Sequence, residues 1–188
     1  MLSIKHNAKL FYRIDIQKLQ NIDKESKEII GRVNSTWSDI EYLNYLFHKN
    51  FGRLSDDSEI GMTFSALLVF SDSFYVHMST LYLLLKQLGE KHENVKKLLS
   101  LNQKFFTRIQ IIRNNILIHK EKPDYKKQLG SMSATDPSHL IEHKVVVIEK
   151  DGSQKIYTLK PLLDIYKMSR LLENAGNLLL SEKAQQGC

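Results

Sequence analysis

The stretch from Thr63 to Leu88 has apolar residues on more than one side of any helix it forms. A helix apolar nearly all round has to be covered by neighbours, either protein or lipid. Between Met62 and Leu88 the run also holds Asp72, His77 and several serines and threonines, which exclude it as a membrane span. It therefore reads as the most buried helix of a bundle. Gly89 follows, and glycine suits the left-handed residue that ends many helices. The connection G-E-K-H-E is short, so the next helix, from about Asn94 to His119, is expected to run antiparallel. Asn94 offers an N-cap, and Pro123 blocks continuation.

The flanking segments supply the other walls. From Lys24 to Asn50, Ile30, Val33, Trp37, Ile40, Leu43 and Phe47 recur at three- and four-residue steps and make one apolar stripe. Gly31 and the run Asn34-Ser35-Thr36 are candidate kinks in it. Leu10 to Ile22 is expected to be helical, although F-Y-R-I-D-I also alternates like a strand. Residues 51–62 read as a loop. Beyond Pro123 the period changes. His143–Glu149 and Gln154–Leu159 are β-branched and aromatic runs on either side of Asp151-Gly152, a hairpin signal. A last helix begins near Pro161, where proline suits the first turn, and residues 182–188 are expected to fray. The fold class is mainly all-α: one domain over 1–188, an antiparallel helical bundle with a β-hairpin at about 143–159 inserted before the last helix.

The single cysteine, Cys188, rules out a disulfide framework and a thiolate zinc site within one chain, and a reducing, cytoplasmic setting fits. Residues 1–16 are too mixed in polarity for a signal peptide, so the formal sequon at Asn34 carries little weight. There is no glycine-rich phosphate loop, no G-x-S-x-G elbow and no CxxC pair, and no cofactor is expected. Net charge is +6, but its distribution matters more. Lys86–Lys127 holds 11 Lys and Arg against 4 Asp and Glu, while the rest of the chain is near neutral. Such a segment is either a lysine-rich solvated face or a field that concentrates anions such as nucleic acid.

Within that segment stands R-N-N-I-L-I-H-K-E, residues 113–121. Phe105, Ile109, Ile112 and Ile116 form a core stripe, and His119 is its next step. One fate for His119 is therefore a core position at a helix end. Arg113 and His119 lie roughly 120° apart around a regular helix, so they converge only in a wide groove or where the last turn unwinds. The residue types suit phosphate chemistry. Arginine offers a planar, permanently charged fork, histidine exchanges protons near neutrality, and Asn114 can hold either by its amide. Attack of a ribose 2′-hydroxyl on the adjacent phosphate needs a proton acceptor and a cation, and no metal.

The pattern Arg113, Asn114, four residues, His119 on the penultimate long helix resembles the HEPN superfamily, and the helical layout agrees over roughly residues 24–181. That resemblance implies a metal-independent endoribonuclease, a homodimer with two copies of the motif lining a basic cleft, and a role as a toxin or antiphage-defence effector. It assigns His119 as general base or acid, Arg113 as phosphate clamp and Asn114 as orienting residue. Lys120, Lys122, Lys126, Lys127 and Arg108 would then hold the RNA backbone. The alternative is a non-catalytic HEPN-like module that binds nucleotide, or pairs with itself, an antitoxin or a nucleotidyltransferase.

Other constellations have plainer readings beside them. Asp72, inside the buried helix, needs a partner, and Arg108 or Arg113 on the adjacent helix is a candidate; in a functional version Asp72 orients Arg113 or His119. His139 and His143, with Asp136, have metal-like spacing, but that segment is loop-like and leads into a strand, so no metal site is assigned. Tyr75, Tyr82, Phe105 and Phe106 suit core packing better than base stacking, and Asp56, Asp57 and Glu59 read as solubilising.

Overall fold

The computed structural model describes residues 12–19, 22–51, 60–114, 126–129, 143–148 and 152–185. Among the described residues, five helices and a small sheet make a mainly all-α architecture: α1 Lys24–Phe51, α2 Ile60–Lys91, α3 Glu93–Leu101, α4 Gln103–Ile112 and α5 Pro161–Gln185. One continuous core draws side chains from all five, together with Ile14, Leu19 and Leu159.

Helix α1 starts where Asp23 caps it. The Ser26 amide donates to Asp23 Oδ1 at 2.9 Å and the Ser26 hydroxyl to Oδ2 at 2.6 Å. Ile30, Val33, Trp37 and Ile40 of the expected stripe are fully buried, and Leu43 packs against the core. The helix runs on through Gly31 and Asn34. Asn34 turns its amide outward from the helix backbone instead. Its Oδ1 accepts from the Ile14 N–H at 3.0 Å and its Nδ2 donates to the Ile14 carbonyl at 2.8 Å. This pairing holds residues 12–15 extended, with a short 3-10 turn at Ile16–Lys18, so the helix expected over Leu10–Ile22 is absent from the described part.

Helix α2 buries Phe74, Tyr75, Met78, Leu81, Leu84, Leu85 and Leu88, which bears out its central place. It does not stop at Gly89 but continues to Lys91. Gly89 is helical, and its missing Cβ serves close packing: a Cβ there would meet the Lys96 backbone at 3.2 Å. His92, not Asn94, occupies the N-cap of α3.

Of the single helix expected over 94–119, the described part, up to 114, is two helices. Asn102 breaks it, with φ −109° and ψ 16°, and its side-chain amide donates to the Leu98 carbonyl at 3.0 Å. An asparagine bonding its own helix's carbonyls competes with the ladder and favours a turn. Past the break, α4 runs antiparallel to α2. Tyr82 stacks on Phe106 with centroids 4.4 Å apart, and Gln110 Nε2 donates to Ser79 Oγ at 2.8 Å.

The expected hairpin is present as β2 His143–Ile148 and β3 Gln154–Leu159, in antiparallel register from His143 opposite Leu159 to Ile148 opposite Gln154. Gly152 has φ +80°, the conformation the turn requires of it. A third strand, β1 Lys126–Leu129, pairs antiparallel with the other edge of β2, giving the order β1-β2-β3. Pro161 opens α5 as expected, but the helix continues to Gln185 instead of fraying at 182, because Glu182, Lys183, Ala184 and Gln185 are all good helix formers.

Candidate functional site

The candidate motif sits where α4 ends. Phe105, Phe106, Ile109 and Ile112 are buried, which fixes the phase of the helix. At Arg113 the backbone is still right-handed helical, with φ −55° and ψ −51°, and its N–H bonds to the Ile109 and Gln110 carbonyls. Arg113 is half-buried and Asn114 exposed, and Arg113 Nη1 donates to Asn114 Oδ1 at 3.3 Å. A neighbouring amide thus steadies one branch of a guanidinium that has five N–H donors in all. His119, Lys120 and Lys122 lie outside the described residues. Lys126 and Lys127 belong to β1 by backbone, opposite Ile148 and Val147.

Arg108 is placed otherwise than expected. It was a candidate RNA-backbone cation, and also a candidate partner of Asp72. Its Nη2 instead forms an ion pair with Asp164 Oδ1 in the first turn of α5, and Nη1 reaches the Thr158 carbonyl at 3.5 Å. The second Asp164 oxygen accepts from the Tyr75 hydroxyl at 2.8 Å, and that hydroxyl accepts the Lys160 N–H at 3.0 Å. Burial pushes the Asp164 carboxyl up from its usual range, against the opposing pull of Arg108. Burial, and then the charge of Asp164, raise the Tyr75 phenol well above its ordinary value.

Asp72 is half-buried. The α2–α4 register set by Tyr82–Phe106 and Ser79–Gln110 puts Arg113 level with Tyr75 and Val76, about one turn from Asp72. His77 bonds to its own helix, with Nδ1 2.7 Å from the Ser73 carbonyl, and its Nε2 lies 3.8 Å from Asp39 Oδ2 of α1. Tyr75 and Phe106 are core residues, and the half-buried Tyr82 stacks on Phe106. Asp56, Asp57, Glu59, Asp136 and His139 lie outside the described residues. Among those described, no group of three His, Cys, Asp or Glu side chains could hold a metal ion.

Two further clusters are chemically suggestive. Ser26 Oγ lies 3.1 Å from His92 Nε2 as well as 2.6 Å from Asp23 Oδ2, superficially the members of a hydrolytic triad. The order is wrong, since the hydroxyl proton goes to Asp23, and Ser26 is wholly buried. Those bonds from Ser26 hold the Asp23 carboxyl below its usual range, as befits a cap. A cleft of about 360 Å³ opens nearby, lined by Glu25, Glu28, Arg32, Glu90 and Lys91 among others. It mixes carboxylates with cations, and Lys91 is tied to Glu25 at 2.7 Å. Lys91 is also sixteen residues along α2 from Tyr75, about 24 Å, so the cleft is separate from the end of α4.

The Tyr75–Asp164–Arg108 cluster carries little local signature. An aspartate in the first turn of a helix satisfies the local dipole and needs no tertiary explanation. No protein-family model, curated protein or solved structure matches the chain. No helix among the described residues is long and apolar enough to cross a membrane.

Proposed function

We propose that the chain is a metal-independent endoribonuclease of the HEPN type, acting as a toxin or antiphage-defence effector in the cytoplasm and working as a homodimer. His119 takes the 2′-hydroxyl proton, O2′ bonds to the adjacent phosphorus, and the bond to the 5′-oxygen breaks, with a proton returned to that leaving group. Arg113 holds the charge on the crowded phosphorane, and Asn114 keeps the guanidinium in place. Lys120, Lys122, Lys126 and Lys127 contribute to the hold on the RNA backbone; Arg108, bound to Asp164, is left out of that role.

The observation that supports this reading is the Arg113–Asn114 pair at the end of α4, joined by a 3.3 Å hydrogen bond. Arginine presented this way matches phosphate oxygens in a forked geometry. The test is expression in bacteria. The wild-type chain arrests growth, whereas His119→Ala and Arg113→Ala do not; equal arrest by all three would contradict the assignment.

A second reading is a non-catalytic module that pairs with itself, an antitoxin or a nucleotidyltransferase. The exposed apolar side chains Val76 and Leu83 on α2 and Ile111 on α4 favour it. Under that reading, replacing these three with polar residues abolishes association, and replacing His119 changes nothing.

A further inference from the structure

Helix α4 spans only the ten residues between the break at Asn102 and Arg113, which caps its C-terminal end. Two polar side chains anchor it. Gln110 bonds to Ser79 of α2, and Arg108 bonds to Asp164 of α5. The second anchor is the more elaborate. Asp164 is joined by Arg108 and Tyr75, and Tyr75 in turn takes the Lys160 N–H at the exit of β3. Phe105 lies beside this junction, with the Arg108 guanidinium 5.9 Å and the Lys167 ammonium 4.7 Å from its ring centre. One buried carboxylate thereby ties α2, α4, α5 and the end of the sheet together.

Arg108 is half-buried and Asp164 buried, and an ion pair taken partly out of water is a modest source of net stability whose best-attested use is to fix one arrangement among several. The arrangement at stake here is that of α4. Arg108 precedes Arg113 by five residues, about 7.5 Å along the helix axis, so any roll or slide of α4 at Arg108 is carried to the motif.

We infer that Arg108 and Asp164 are positioning residues for the Arg113–Asn114 site, with Tyr75 holding Asp164 in place. What the site does rests on the nuclease reading above; the placement of α4 does not.

The experiment compares full-length wild type, Asp164→Asn, Arg108→Met and Arg108→Lys by amide hydrogen exchange. In Asp164→Asn and Arg108→Met, exchange at residues 109–112 rises by about tenfold or more while Ile30–Ile40 of α1 keeps its wild-type rate. Arg108→Lys, which keeps the charge, recovers part of the protection. If Asp164→Asn does not fold, Tyr75→Phe carries the same comparison. Exchange that rises equally in α1 and α4, or stays unchanged at 109–112, overturns the inference. A second arm measures binding of a single-stranded oligoribonucleotide in the His119→Ala background. Asp164→Asn weakens it about tenfold, and adds nothing once Arg113→Ala is present, because coupled residues are non-additive; full additivity of the two losses also overturns the inference. A protein that neither binds nor cleaves RNA refutes the nuclease reading alone, and the exchange arm still decides the placement.

Discussion

The Tyr75 hydroxyl lies 2.8 Å from the Asp164 carboxylate, joining residues 89 positions apart in the chain. Both are buried, and the same hydroxyl accepts the Lys160 N–H. Replacing Tyr75 with Phe leaves the ring's packing intact but strips a partner from the buried Asp164 carboxylate and from the half-buried Lys160 N–H. An unsatisfied buried polar group costs about 1–3 kcal/mol. Tyr75→Phe is therefore expected to lower the unfolding free energy by about that amount, measured from urea midpoints at constant slope. A change below about 0.5 kcal/mol would show that the hydroxyl's bonds contribute nothing net.

Asp164 gives a pH signature. Burial raises its carboxyl above the usual range, so the folded chain holds that proton more tightly than the unfolded chain does. The contribution of Asp164 to stability must then fall as pH climbs from the ordinary aspartate value through the raised one. Asparagine at 164 cannot titrate. Stability curves of wild type and Asp164→Asn, taken from about pH 4 to about pH 7, should diverge, with wild type losing ground as pH rises. Parallel curves would mean that Arg108 cancels the desolvation of the carboxylate.

Two glycines on neighbouring helices should respond oppositely to alanine. A Cβ at Gly31 meets nothing within 4 Å, so Gly31→Ala should stabilise by about 0.5–1 kcal/mol through helix propensity alone. A Cβ at Gly89 meets the Lys96 backbone at 3.2 and 3.3 Å, and backbone does not yield as a flexible side chain does. Gly89→Ala should destabilise by about 1 kcal/mol or more, as overpacking does. Thermal melts of the two variants decide the matter, and a stabilised Gly89→Ala would mean that α3 shifts away at little cost.

The apolar stripe of Ile30, Val33, Trp37 and Ile40 was legible because local spacing and burial coincide there. The hairpin was legible for a similar reason: Gly152 adopts the positive φ that its turn demands. What escaped was decided by tertiary pairing. The segment K-K-Q-L has no strand pattern of its own and becomes β1 by pairing with β2. The break at Asn102 was hidden because the buried residues Val95, Leu99, Phe105 and Ile109 keep up helical spacing on both sides of it. Arg108 looked like a surface cation in a basic stretch, and only its bond to Asp164, 56 residues on, shows that it is taken. Of the motif itself, Arg113 and Asn114 are placed together and His119 lies outside the described residues.

The most direct test of the nuclease assignment is the chemistry of the cleaved ends. Purified wild-type protein is incubated with single-stranded RNA in excess EDTA, and the products are resolved by mass. Attack by the 2′-hydroxyl predicts fragments ending in a 2′,3′-cyclic phosphate and a 5′-hydroxyl, with Arg113→Ala and His119→Ala slower by at least about a hundredfold. Cleavage that survives in both variants, or that EDTA abolishes, would contradict the account.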